Sequence, residues 1–265
     1  MGTGTATIAT PGPGNRAWQG SVAEGAESPL SQFEISTIVP IDLGGVDASF
    51  TNASLFMVIA IVAVTVFLVG GMSRRAVMPG RWQSMAELAY EFVAGMIRDN
   101  VGTEGRRFFP FVFSLFMFIL FANMLGLLPY SFTVTSHIIV TFALAAVVFL
   151  GVTVVALVKH GLRFFTFFMP SGVPILMAPL LVPIEIVSYL ARPVTLSLRL
   201  FANMMAGHTM LKVFGGFVVL LGLLGFAPVL VIVLLFGLEV VVAILQAYVF
   251  TILTCLYLND ALHLH

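Results

Sequence analysis

The chain is 265 residues long, 60% hydrophobic and 9% charged, with a mean hydropathy of +1.09, whereas soluble domains are roughly half apolar and about a quarter charged. This excludes a soluble globular domain and places the chain in a bilayer. Twelve bases balance twelve acids, which argues against a nucleic-acid surface and leaves the layout of charge to report on topology.

Residues 1–50 hold five of the twelve acids (Glu24, Glu27, Glu34, Asp42 and Asp47) and only Arg16 among the bases. The opening "MGTGTATIATPGPG" lacks the apolar core of a signal peptide and the arginine-rich pattern of a transit peptide. Ala6 breaks the myristoylation pattern. A flexible tail over 1–50 is expected, followed by a single membrane domain over 51–265.

Three uncharged runs, 53–72, 108–128 and 138–158, approach the ~20 residues needed to cross ~30 Å of hydrocarbon as helices. Between the first two, 82–100 places Met85, Leu88, Phe92 and Met96, with Ala89, Val93 and Ile97, on one helical face, and Glu87, Glu91 and Arg98 opposite. That pattern predicts a helix lying in the interface. Arg74, Arg75, Arg81, Arg98, Arg106 and Arg107 fill the 73–107 connection, and Lys159 and Arg163 follow the third run. Both connections are therefore expected on the cytoplasmic side, with the acidic tail and the "PYSFTVTSH" turn at 129–137 opposite. "RFFTFFMP" at 163–170 reads as an interfacial aromatic belt.

Two apolar tracts remain, about 172–214 and 217–258, each about twice a spanning length. Each is either two crossings or one long, strongly tilted helix. Pro174, Pro179, Pro183 and Pro193 can bend or break the first, yet 194–214 is free of proline, and two long tilted helices joined by "GGFVVLLGLLGFAP" are preferred. The expected fold is an all-α integral membrane protein with about five membrane helices and one interfacial amphipathic helix.

In the first tract Glu185, Ser188, Arg192, Thr195, Arg199 and Asn203 are spaced 3, 4, 3, 4 and 4, which keeps them in one helical stripe. An ionised side chain at bilayer depth costs at least ~2.5–3.5 kcal/mol, so the stripe must face protein or water. For Arg192 and Lys212 a structural ion pair or a snorkelling end weighs evenly against a functional role. Arg199, far from either end, points to function. In the second tract Glu239 and Gln246 share a face, and His208 is the candidate partner of Glu239. Burial raises a carboxyl pKa and lowers that of imidazole, so such a pair can exchange protons. Asn123 and His137 read as a packing hydrogen bonder and a surface group, and Cys255 as a small core hydrophobe.

"PVTLSLRLFANMMAGH" followed by "LEVVVAILQAYVFTIL", with "SQFEI" and "FANMLGLLPY" upstream, resembles the a subunit of the rotary F-type ATP synthase, alpha-proteobacterial and mitochondrial members most of all. The resemblance covers about 33–265. It implies that Arg199 is the essential stator arginine, facing a ring of c subunits that each carry a membrane carboxyl group. It further implies that His208 and Glu239 line an outer half-channel, that Asn203 and Gln246 sit beside the arginine, and that Glu185 with Ser188, and Thr195 on the same stripe, belong to the proton path. The implied partners are the c ring, b-type peripheral stalk subunits and the rest of the synthase, the transported ion is H+, and the location is a bacterial inner membrane in preference to a mitochondrial one. The sequence calls for no cofactor and no metal, and it lacks a GxxxxGK[ST] loop, so ATP chemistry is assigned to other subunits.

Two rivals stand beside this reading. A proton-coupled secondary transporter would bind an anionic substrate at Arg199 and predicts an internal inverted repeat, of which no second arginine stripe is seen. A structural scaffold would let Arg199 be exchanged together with its partner.

Overall fold

The computed structural model describes residues 36–40, 42–43, 46–47, 49–72, 80–128, 131–161, 164 and 177–263. Six α-helices dominate these residues: α1 (Asn52–Met72), α2 (Arg81–Asn100), α3 (Phe109–Gly126), α4 (Ile138–His160), α5 (Ala178–Leu221) and α6 (Phe226–Leu262). All but α2 are long and apolar enough to cross a membrane. Short 3-10 segments at Thr103–Phe108, Val134–Ser136 and Gly222–Gly225 precede α3, α4 and α6.

Regular pairing begins inside the stretch expected as tail. Strand β1 (Thr37–Val39) pairs antiparallel with β4 (Phe50–Thr51), and β2 (Asp42–Leu43) with β3 (Val46–Asp47). The chain then enters α1 directly, with the Thr51 hydroxyl accepting from the Ser54 amide at 3.4 Å, as a helix N-cap does. Residues 1–35 lie outside the described residues.

The amphipathic α2 splits its apolar face between two neighbours. Val93, Met96 and Ile97 are buried in the core, while Met85, Leu88 and Phe92 stay exposed, on the side a bilayer interface would cover. In the aromatic 163–170 stretch, Phe164 is the described residue, and it packs inward on Tyr189 with ring centroids 6.1 Å apart. That placement removes Phe164 from the expected interfacial belt.

The last two tracts are two long helices of 44 and 37 residues. At ~1.5 Å per residue they measure about 66 and 55 Å, so each must run tilted through ~30 Å of hydrocarbon or project beyond it. Pro183 and Pro193 stay within α5 without ending it; a membrane helix absorbs the lost hydrogen bond where neighbours satisfy the backbone. The joint falls inside the expected "GGFVVLLGLLGFAP" stretch, past its opening glycine pair. Gly215 and Gly216 remain helical, and the turn comes at Gly222, whose φ of 53° suits glycine.

Helices α5 and α6 pack on each other and on α4, α3 packs on α6, and α1 covers α2 and α3. On α4 the buried Ala145, Val148, Val152 and Ala156 form one stripe of small and branched side chains, which lets helices approach closely where lipid supplies no hydrophobic drive. On α5 the buried Tyr189, Leu196, Leu200 and Met204 form the packing stripe.

Ion pairs fix which ends lie together. Lys159 at the end of α4 bonds Glu104 in the segment before α3, so the described ends of the two basic connections meet on one side of the bundle. Arg192 Nη1 lies 3.0 Å from Asp260 Oδ2 near the end of α6, and its guanidinium stands 5.3 Å from the Tyr189 ring centroid and 4.9 Å from that of Tyr257. The opposite side holds the start of α1, where Ala53 clusters with Phe132 and Val134 of the α3–α4 connection. Arg192 is thus a structural pair. Arg192→Leu is expected to lower thermal stability by roughly 1 kcal/mol, the order of a partly screened pair plus cation–π contacts, as read by unfolding of the detergent-solubilised chain.

Candidate functional site

The polar stripe of α5 divides by surroundings. Ser188, Thr195, Arg199 and Asn203 are exposed on the surface of the chain, and Glu185 and Arg192 are partly buried. Arg192 turns to Asp260, whereas Arg199 stays on the exposed flank among Val194 and Leu198, both also exposed. The buried Leu196 and Leu200 lie on the other side of the helix. An always-protonated guanidinium is therefore presented outward at mid-helix, on a flank shared with the uncharged Thr195 and Asn203 and the apolar Val194 and Leu198.

Nine residues beyond Arg199, about 13 Å along the axis, α5 turns a different polar group inward. His208 Nδ1 contacts Glu239 Oε1 of α6 directly. Glu239 is 5% exposed, and its Oε2 has no hydrogen-bond partner among the described residues. The close approach depends on Gly207: a Cβ there would stand 2.6 Å from Glu239 Oε1 and 2.9 Å from the carboxyl carbon. The same face of α6 buries Ala243, Gln246 and Phe250. Asn123 of α3 is fully buried and donates to the Ala243 carbonyl at 3.2 Å, which makes it the packing hydrogen bonder expected.

The other face of the His208 ring meets the end of α3 and the connection after it. Nε2 lies 2.9 Å from the Gly126 carbonyl and 2.9 Å from Thr133 Oγ1. The segment Phe132–Ser136 is buried throughout, although its polar sequence reads as a surface turn. His137, expected at the surface, is partly buried, stacks on Phe132 at 4.9 Å and has its pKa pushed below the ordinary imidazole value by burial.

A family model described as ATP synthase A chain matches residues 54–259. The chain belongs to that family. The matched region runs from α1 through nearly all of α6 and takes in Arg199, His208, Glu239 and Gln246. ATP synthase subunit a of Parvibaculum lavamentivorans is 60% identical over 242 residues, covering 89% of this chain and 93% of that protein. ATP synthase subunit a of Pelagibacter ubique is 57% identical over 242 residues (91% and 99%). Subunit a of Rhodospirillum rubrum is 54% identical over 239 residues (90% and 99%).

Within this member of the ATP synthase A chain family, the structure brings His208 and Glu239 together and sets Arg199 and Asn203 on one exposed flank. It keeps Gln246 buried on α6 and separates Glu185 from the His208–Glu239 pair by more than twenty residues of α5. Sequence reasoning missed Gly126, Thr133 and Gly207. The missed signals were a Ser/Thr-rich turn between two apolar runs and a glycine directly before a histidine. Gly207→Ala is expected to raise helix propensity by up to ~1 kcal/mol and yet to lower proton-driven activity about tenfold by displacing the Glu239 carboxylate. Thermal unfolding and ATP-driven acidification measured on the same preparation check both halves.

Proposed function

We propose that this chain is the non-catalytic, proton-conducting stator subunit of an F-type ATP synthase in a bacterial inner membrane, coupling proton flow to ATP synthesis. The observation that carries the reading is Arg199, exposed at mid-helix on α5, with a buried His208–Glu239 pair about 13 Å further along the same helix.

Arg199 faces a ring of c subunits and attracts the carboxylate of each as it arrives, favouring release of its proton. Protons enter from the side of the 131–137 connection by way of His208 and Glu239, with Gln246 and Asn203 toward the arginine. A protonated, neutral ring carboxyl then tolerates lipid where the ionised form does not. After nearly a full turn the proton leaves to the other side along Ser188, Thr195 and Glu185. The fixed positive charge of Arg199 blocks a direct path between the two half-channels, so protons cross only as the ring turns. Each charge crossing supplies ~2.3 kcal/mol per 100 mV in addition to the pH difference. ATP chemistry belongs to other subunits, and b-type stalk subunits hold the stator against the turning ring.

The test is disulfide cross-linking in the intact complex. Asn203→Cys, on the exposed flank, is expected to cross-link to a cysteine on the carboxyl-bearing helix of the c subunit and to stop ATP-driven pumping. Leu200→Cys, fully buried, should not cross-link, and the native Cys255 is buried and does not compete. An assembled complex in which Asn203→Cys never links to c would overturn the reading. Substrate uptake by the purified chain alone in liposomes would favour a self-contained transporter.

A further inference from the structure

We infer that Thr133 and the Gly126 carbonyl form a positioning clamp that fixes the proton on Nε2 of His208 and leaves Nδ1, against Glu239, as the site of proton exchange. The inference rests on the proposed proton-conducting role of the His208–Glu239 pair and adds to it the residues that orient it.

A carbonyl oxygen only accepts, so the 2.9 Å contact between Nε2 and the Gly126 oxygen requires an N–H at Nε2. The Thr133 hydroxyl donates to that same carbonyl at 3.3 Å. Its own oxygen is then free to accept from Nε2–H at 2.9 Å. Both partners of Nε2 therefore act as acceptors, and the tautomer follows. A proton can leave the ring only from Nδ1, which faces Glu239 Oε1. In that step the Nδ1–H bond breaks as an Oε1–H bond forms, and imidazolium plus carboxylate become imidazole plus carboxylic acid. The pair keeps one mobile proton, and its net charge is unchanged.

The clamp is built into the fold. Gly126 ends α3, where carbonyls lack a helical partner, so its oxygen accepts from side chains instead: the Ser131 hydroxyl at 3.1 Å, as well as Thr133 and the ring. Thr133 is 3% exposed, and a Cβ at Gly126 would stand 2.8 Å from the Thr133 methyl carbon. The two residues thus fit only with glycine at 126. Fixing a histidine's tautomer through its second nitrogen is how metal ligands are oriented, and loss of such a partner there costs roughly 10- to 100-fold in function. The ionisable groups around the ring are few. Glu239 comes from α6, and His137 comes from the α3–α4 connection, its pKa lowered by burial. On α5 itself Lys212 follows one turn on, and α4 brings Lys159 and His160 only at its far end.

The test uses the intact complex in inverted vesicles and compares ATP-driven acidification at matched assembly for Thr133→Val, Thr133→Ser and His208→Ala. Thr133→Val keeps the shape and loses the hydroxyl, and pumping should fall about tenfold. Thr133→Ser keeps the hydroxyl and should retain most of it. Nitrogen-15 NMR of labelled His208 should report Nε2–H in the unaltered chain and a reduced share of that tautomer in Thr133→Val, where the Gly126 carbonyl alone still holds it. If His208→Ala abolishes pumping while Thr133→Val pumps normally with an unchanged tautomer, the clamp is wrong and the channel reading survives. Equal loss in Thr133→Ser and Thr133→Val would also overturn it, since packing and not the hydroxyl would then matter. If His208→Ala itself pumps normally, the underlying channel role fails first.

Discussion

Glu239→Gln is expected to cut ATP-driven proton pumping by at least about tenfold without preventing assembly. The substitution keeps volume and hydrogen-bonding capacity but removes the only group on α6 that can take the His208 proton. His208→Ala should be harsher on the fold, because it leaves a 5%-exposed carboxylate without its partner. Breaking one side of a buried pair costs ~3–5 kcal/mol, more than the intact pair contributes. The double exchange His208→Glu with Glu239→His restores one acid and one imidazole at the same contact. It should pump better than either single variant, a non-additivity that a double-mutant cycle measures directly. A double variant no better than its worse parent would show that the two residues act separately.

Arg199→Lys should fail nearly as badly as Arg199→Ala. A lysine conserves formal charge, but a desolvated ammonium loses its proton readily while a guanidinium does not, and its single nitrogen lacks the planar fork that engages a carboxylate. On the exposed flank of α5 the arginine has no described acid beside it of the kind Asp260 supplies to Arg192. Its charge is therefore available to a partner outside the chain. ATP-driven acidification by both variants, compared with the Arg192→Leu control, separates the two arginines: only the Arg199 variants should lose pumping outright.

Much of this architecture was legible because the bilayer imposes a simple rule. Runs such as 53–72 and 138–158 carry no charge and end within two residues of the helices α1 and α4. The α5 stripe was legible from its 3 and 4 spacing, since helical geometry alone puts those side chains together. What could not be read was long-range pairing. Arg192 and Asp260 are 68 residues apart, and nothing local marks them as partners. Thr133 and His208 are separated by 75 residues, and the turn holding Thr133 has the composition of a surface loop. Within the expected "GGFVVLLGLLGFAP" joint the break falls at Gly222, because a glycine pair does not by itself end a helix, whereas a residue held at φ 53° does.

The most direct test of the central claim is passive proton leak across inverted vesicles holding the whole complex, with and without Arg199→Ala, recorded beside ATP-driven acidification. If Arg199 separates two half-channels, the variant assembles, pumping is lost and passive leak rises above that of the unaltered complex. If Arg199→Ala pumps normally and its vesicles stay as tight as before, the arginine is structural and the stator account is wrong.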